Sequence, residues 1–284
     1  MLILTAMSLI DLHCHTTASD GIKTSTELID YAISRNVRVL AITDHDTISG
    51  LKEGVDYALK KKFTLIPGIE FSIDYRGGSF HLVGLYVDHN YTPLIEKTAY
   101  LHKVRDNRVF GIIDDLKANG IDIPIEDVLN ESSGDAIGRP HVARVLVKHG
   151  YANNINEIFK KYLVKGKPGY VKKERIQLDE AVSLIKGAGG LAIVAHPVSL
   201  NCKGISDYEA TIKGFIDKGV DGIEVYSSMH KNSDINDFLD LANKYNLLVS
   251  GGSDYHGDKD EKLGYYFPTK PIPYYIYERI ELFS

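Results

Sequence analysis

An α/β fold, with a parallel sheet or barrel at its centre, is what this sequence of 284 residues predicts. Three observations carry that expectation. Short β-like runs recur along the chain, and several are continuously apolar, as strands buried on both faces are. Amphipathic helical patterns fill the gaps, and strand-then-helix repetition favours parallel pairing. One stretch, residues 94–165, breaks the rhythm and reads as wholly helical.

The elements follow in order. A strand is expected at 8–15 (SLIDLHCH). Thr24 and Glu27 then make a capping box, opening a helix whose Leu28, Ile29, Ala32 and Ile33 share one face. Strand 37–43 follows, then a helix over 49–61 carried by Leu51, Val55, Ala58 and Leu59. Strands at 63–73 and 79–87 come next. The helical stretch divides into 94–118, 124–130, 139–149 and 154–163. Beyond it, strands at 190–195, 220–226 and 247–251 alternate with helices at 178–187, 206–218 and 232–245. Residues 268–273 (PTKPIP) read as an irregular tail. The domain expectation is therefore an α/β body, 1–93 with 166–284, interrupted by a helical insertion at 94–165.

Composition narrows the function classes. The chain is 44% hydrophobic and 25% charged, enough for a full core. A formal charge of −5 gives no global field for nucleic acid. Two cysteines, Cys14 and Cys202, do not suggest a disulfide framework. No run of about 18 apolar residues suggests a membrane span. The apolar start, MLILTAMSLI, lacks a basic flank and runs into a strand, which argues against a signal peptide and for a cytoplasmic protein.

The chemistry gathers where strands end, which is where ligands collect in α/β folds. Six of the eleven histidines lie in or just after an apolar run: His13, His15, His45, His81, His196 and His256. Asp20, Glu70 and Asp254 stand among them. In a strand, residues i and i+2 share a face, so His13 with His15, and Asp254 with His256, can each grip one cation. A lone His-x-His is a weak sign, since a single strand-end histidine is more often structural; nine such groups together are not. Imidazole and carboxylate suit Zn²⁺, Mn²⁺ or Fe²⁺ rather than Ca²⁺. Nine ligands imply two or three ions. Cys14 faces away from its neighbours and reads as core. His89, His102, His149 and His230 read as surface residues.

DLHCHTTASDG, ITDHDT, PGIE, His81, AHP and SDYH, in this order, resemble the successive motifs of the PHP (polymerase and histidinol phosphatase) phosphoesterases. The resemblance runs over most of the chain outside the insertion. GRPHVARVLV, at 138–147, is similar to the nucleotide phosphatase branch, which includes bacterial 3′,5′-nucleoside bisphosphate phosphatases, some of which also trim short RNA from its 5′ end. The resemblance implies a distorted (β/α)₇ barrel with a trinuclear site, manganese first among its metals. His13, His15, Glu70 and Asp254 would hold one ion. Glu70, His81 and His196 would hold a second, and Asp20, His45 and His256 a third. Arg139, His141 and Arg108 would contact a substrate phosphate. Arg139 could equally orient a helix start that Pro140 opens, and Arg105 and Arg108 could be a solvated face. Asp44 and Asp46, flanking His45, would orient ligands.

The expected activity is metal-assisted hydrolysis of a nucleotide phosphomonoester, by water activated at the metals. No serine or cysteine nucleophile is needed, and GGS at 251–253 is not a nucleophile elbow. The insertion would roof the site and favour a mononucleotide or a short oligonucleotide end. A long duplex would want a basic track. The two basic clusters, 60–62 and 160–175, read first as solvated faces. Rival readings are a histidinol or sugar phosphatase on the same metals, a metal-stabilised binding module, and an amidohydrolase, whose bridging lysine has no counterpart at a strand end here.

Overall fold

The computed structural model describes residues 8–131, 137–257 and 261–283. The first seven residues, part of the apolar start read above, lie outside them. The elements run β1 (Leu9–Asp11), α1 (Ser25–Ser34), β2 (Val37–Ile42), α2 (Leu51–Lys61), β3 (Thr64–Ile73), β4 (Phe80–Leu85) and α3 (Thr92–Ala118). Then come α4 (Ile125–Glu131), α5 (Arg139–Lys148), α6 (Ile155–Ile158) with a π-helical turn (Phe159–Leu163), α7 (Leu178–Gly187) and β5 (Leu191–Val194). A 3₁₀ turn (Pro197–Leu200), α8 (Ile205–Ile216), β6 (Gly222–Ser227), α9 (Asn232–Tyr245) and β7 (Leu248–Gly252) follow. The chain closes with β8 (Tyr265–Phe267), β9 (Lys270–Pro271) and α10 (Tyr275–Glu281).

The α/β class holds. Seven strands form one sheet in chain order, β1 to β7. Pairing is parallel except around β4, which runs antiparallel to both β3 and β5. The all-parallel expectation fails there for a simple reason. Only residues 74–79 separate β3 from β4, too few for a crossover, so the chain must turn back on itself. The outer ends approach each other through backbone bonds: Leu12 N donates to Gly251 O (3.2 Å), Asp254 N to His13 O (3.0 Å) and His15 N to Tyr255 O (2.9 Å).

One apolar core joins strands and tail. Ile10, Leu12, Val39, Ala41, Val83, Leu85 and Ile193 pack with Ile272, Ile276 and Ile280. Within 268–273, read as an irregular tail, Lys270 and Pro271 form β9 and pair with β8, and Ile272 packs in this core; α10, beyond that stretch, supplies the other two isoleucines. The capping box forms as expected, Glu27 N donating to Thr24 Oγ1 (3.3 Å) and Thr24 N to Glu27 Oε2 (2.9 Å). Two expected core residues are exposed, Ile33 and Leu59. On α2 the close approach to the sheet is made by Gly54, against Ile42 and Leu65.

The chain divides into two compact units, Met1–Glu96 with Ile176–Ser284, and Lys97–Arg175. The second is all helix and loop among the described residues. It has its own core, in which Val109, Ile112 and Leu116 meet Val128, Val142, Leu146, Ile158 and Leu163.

Candidate metal centre

The nine expected ligands converge at one end of the sheet. His13 and His15 follow β1, Asp20 lies in the next loop, and His45 follows β2. Glu70 sits inside β3, His196 follows β5, and Asp254 and His256 follow β7. His81 is the second residue of β4. Because β4 is reversed, its beginning lies where its neighbours end, so His81 faces the others. The strand β1 is shorter than expected, bending at Leu12, yet Cys14 still pairs with Tyr255 and keeps the alternation that turns both flanking histidines the same way.

Local backbone is shaped for this meeting. A Cβ on Gly252 would lie 2.1 Å from His13 Cβ, so only glycine lets β7 come this close. Asp254 (φ 56°) and His196 (φ 25°) both hold positive φ, which non-glycine residues adopt at a cost of about 1–3 kcal/mol where surrounding structure enforces it.

Glu70 is the centre. It is fully buried, and five histidine nitrogens lie within 3.5 Å of its carboxylate: His45 Nδ1 (2.6 Å), His81 Nδ1 (3.0 Å), His13 Nε2 (3.2 Å), His196 Nε2 (3.2 Å) and His15 Nε2 (3.5 Å). Asp254 Oδ1 adds a second acceptor, 3.0 Å from His15 Nε2 and 3.5 Å from His13 Nε2. Asp20 lies 3.3 Å from His256 and 3.8 Å from His45. By distance these atoms form four overlapping groups: His15–Asp20–His45–His256, His13–His15–Asp254, His13–Glu70–His196 and His45–Glu70–His81.

The residues fit a cation. His13 Nε2, His81 Nδ1 and Glu70 Oε2 are buried with no hydrogen-bond partner among the described residues, although they face one another. The outward nitrogens explain which way the lone pairs point. His13 Nδ1–H donates to Glu224 Oε1 (3.1 Å) and His256 Nδ1–H to the Asp254 carbonyl (2.8 Å). In the neutral ring each bond fixes the tautomer, so the inward nitrogen is the one that carries the lone pair a cation would meet once the proton is displaced. Polar atoms buried this way are costly unless satisfied, and a divalent ion accepts all of them at once.

The electrostatics agree. Burial opposes the charge on Glu70, yet His45, His81 and His13 hold its pKa well below the usual carboxylate range. Burial likewise opposes the ionised forms of Asp20 and Asp254, and neighbouring histidines outweigh it and depress both. Burial opposes the charged ring of His256, but Asp20 pushes it up to about 10. His15 and His81 are lowered, chiefly by burial.

Buried carboxylates hold the segments that carry the expected ligands. Asp44 accepts from Thr16 N (2.7 Å), Thr16 Oγ1 (2.6 Å) and Ser19 Oγ (2.6 Å), which pins the loop carrying Asp20. Asp46 accepts from Ser72 N (2.8 Å), tying the His45 loop to β3. Asp11 fastens β1 to the loop after β7 through Ser253 N (2.9 Å) and Ser253 Oγ (2.6 Å). Sequence reasoning missed Asp11 and Glu224. Glu224 also accepts from His196 N (2.7 Å), so one buried carboxylate steadies two ligand-bearing segments. The only hint was an acid in an otherwise apolar run, GIEVY. Cys14 is core, as expected. His230 is not a surface residue: it is 1% exposed, its Nδ1 donating to the Val225 carbonyl (2.7 Å), because the chain turns inward after β6.

In the helical unit, the three expected phosphate contacts already have structural partners. Arg108 Nε donates to Val171 O (2.9 Å). Arg139 Nη1 donates to Leu163 O (3.3 Å) and its guanidinium lies over the Phe159 ring. His141 Nδ1 accepts from Gly138 N (3.0 Å), which places the ring proton on Nε2. Burial and the guanidiniums of Arg139, Arg105 and Arg175 bring Arg108 down to about 10. Burial also lowers Arg139 and His141.

Comparison with known proteins places this arrangement. A 3′,5′-nucleoside bisphosphate phosphatase from Chromobacterium violaceum is 35% identical over 278 residues, 97% of each chain. A 5′-3′ exoribonuclease from Haemophilus influenzae is 35% identical over 87% of this chain and 89% of its own. A solved structure from Bifidobacterium adolescentis, a candidate metal-dependent phosphoesterase, superposes with a TM-score of 0.81 at 26% identity, over 97% of this chain and 96% of that one. The PHP domain pattern itself matches residues 11–180 and so takes in the expected ligands from His13 to His81; with relatives this similar along nearly its whole length, the chain belongs to the PHP domain family.

Proposed function

We propose that this chain is a metal-dependent phosphoesterase that releases phosphate from nucleotide phosphomonoesters, nucleoside 3′,5′-bisphosphates or AMP-like compounds, with 5′ ends of short RNA as a second substrate. One observation carries the reading: the fully buried Glu70 carboxylate ringed by five histidine nitrogens within 3.5 Å. Such a cluster has no structural need that apolar packing would not meet better. The relatives named above favour nucleotides as the substrate class.

Two or three divalent ions, manganese first, would be held by His13, His15, Glu70 and Asp254, by Glu70, His81 and His196, and by Asp20, His45 and His256. Bound there, they would lower the pKa of a water and offset phosphoryl charge. The protein's own part is orientation. Glu224, Asp11, Asp44 and Asp46 hold the ligand loops so that the lone pairs converge before any substrate arrives. Arg108, Arg139 and the Nε2–H of His141 are donors suited to a phosphate.

The test is phosphate release from adenosine 3′,5′-bisphosphate, AMP and a short 5′-phosphorylated RNA, after chelation and with Mn²⁺, Mg²⁺ or Zn²⁺ restored. Metal-dependent release is the expected result. Silence on all three with metals bound would overturn the nucleotide reading and turn attention to histidinol phosphate.

A further inference from the structure

The net charge of −5 hides a division. Lys97–Arg175 contains fifteen Lys and Arg against ten Asp and Glu, a formal +5, while the rest of the chain is −10. Within this helical unit the excess is local. Residues 160–173 carry six lysines and no carboxylate. Lys160, Lys161, Lys165, Lys167 and Lys172 are exposed. Lys161 has a long ion pair to Glu157 (3.8 Å), whereas Lys160, Lys165, Lys167 and Lys172 have no carboxylate partner among the described residues.

The strip adjoins the guanidinium cluster. Arg139 is bonded to Leu163 O and Arg108 to Val171 O, so both arginines are fastened to the backbone of the lysine-bearing segment itself. Arg105 lies against Gly138, and Arg175 and Tyr170 are within electrostatic range of both Arg108 and Arg139. Tyr162 and Tyr170, half-buried, interleave with the lysines. Like charges gathered at this density repel one another, and a polyanion relieves the repulsion.

We infer that this segment, Lys160–Lys173 with the adjoining arginines, is a binding track for the phosphodiester backbone of a single-stranded oligonucleotide. The inference deepens the nucleotide reading above and rests on it. Single-stranded nucleic acid fits better than an acidic protein for two reasons. Guanidiniums in a cluster suit phosphate oxygens in pairs, and interleaved aromatic rings offer faces for unstacked bases. The track also accounts for a basic segment in a chain too acidic overall to attract nucleic acid.

The test uses the metal-loaded full chain and a Lys165→Gln, Lys167→Gln, Lys172→Gln variant. Binding of a fluorescent single-stranded RNA of about ten nucleotides is followed by anisotropy across a salt series. For single strands each phosphate contact contributes about 0.7 to the slope of log affinity against log salt, so the variant's slope should fall by about 2. Affinity for the RNA should drop at least about tenfold at low salt. AMP hydrolysis, a control for an intact fold and site, should be unchanged. An unchanged slope would overturn the track, as would an equal lysine-dependent affinity for poly-glutamate. Lysine-dependent RNA binding by a protein that hydrolyses nothing would leave the track standing and overturn the phosphoesterase reading.

Discussion

At the scale of single residues, the site divides into groups that point at the cation position and groups that hold them there. Asp254 is of the first kind, within 3.5 Å of both His13 and His15. Asp254→Ala is expected to lower phosphate release by about 100-fold or more, the scale of losing a preorganised electrostatic contact. Metal content measured per chain should fall with it. Glu224 is of the second kind. Glu224→Ala removes the acceptor that fixes the His13 tautomer, so metal affinity should weaken by about 10- to 100-fold. Glu224→Gln keeps an acceptor oxygen and should recover part of that loss. Titration of metal into the chelated protein checks both, and equal affinities for the two variants would refute the orienting role.

At the scale of elements, close approach decides more than propensity does. Gly252→Ala would drive a methyl group into His13, 2.1 Å from its Cβ, and must push β7 away from the chain after β1. Loss of metal binding together with a lower melting temperature is the expected outcome. Thr24→Ala, by contrast, touches only the start of α1. Losing the cap should cost about 1 kcal/mol and about 2–4 °C in melting temperature, with metal content unchanged. Thermal melts of the two variants side by side separate the local effect from the site effect. The β3–β4 hairpin belongs at this scale too: reversal of one strand is what brings His81 to the same end as Glu70.

At the scale of the whole molecule, protons and cations compete for one site. Burial opposes the His256 imidazolium, but Asp20 raises it to about 10, above an unfolded value of about 6.5. A raised folded-state pKa gives stability that is complete below about pH 6.5 and is lost as pH climbs through about 10. The chelated protein should therefore lose melting temperature across that window. The metal-loaded protein should lose less, since the cation takes the proton's place. Apparent metal affinity should rise over the same range and binding should release protons. Melting curves with and without chelator, from pH 6 to 10, test the sign directly.

Much of this molecule was legible in the sequence because periodicity is local. The seven sheet strands, the helices of the insertion and the Thr24–Glu27 cap all rest on residues a few positions apart. The histidines at strand ends were legible for a related reason: parallel topology sends those ends to one face, so position along a strand already predicts company. What stayed hidden was non-local. Glu224 meets His13 across 211 residues, and Asp11 meets Ser253 across 242; no spacing rule reaches that far. His230 read as surface until the chain after β6 turned it inward, and 268–273 read as irregular although Ile272 within it packs in the core. The sequence by itself determined the α/β class and which histidines and carboxylates stand near the strand ends, since both are written in side-chain type and short-range order. Only the tertiary structure decided which atoms converge on Glu70 and which carboxylates hold them, because those contacts exist only once distant strands pack together.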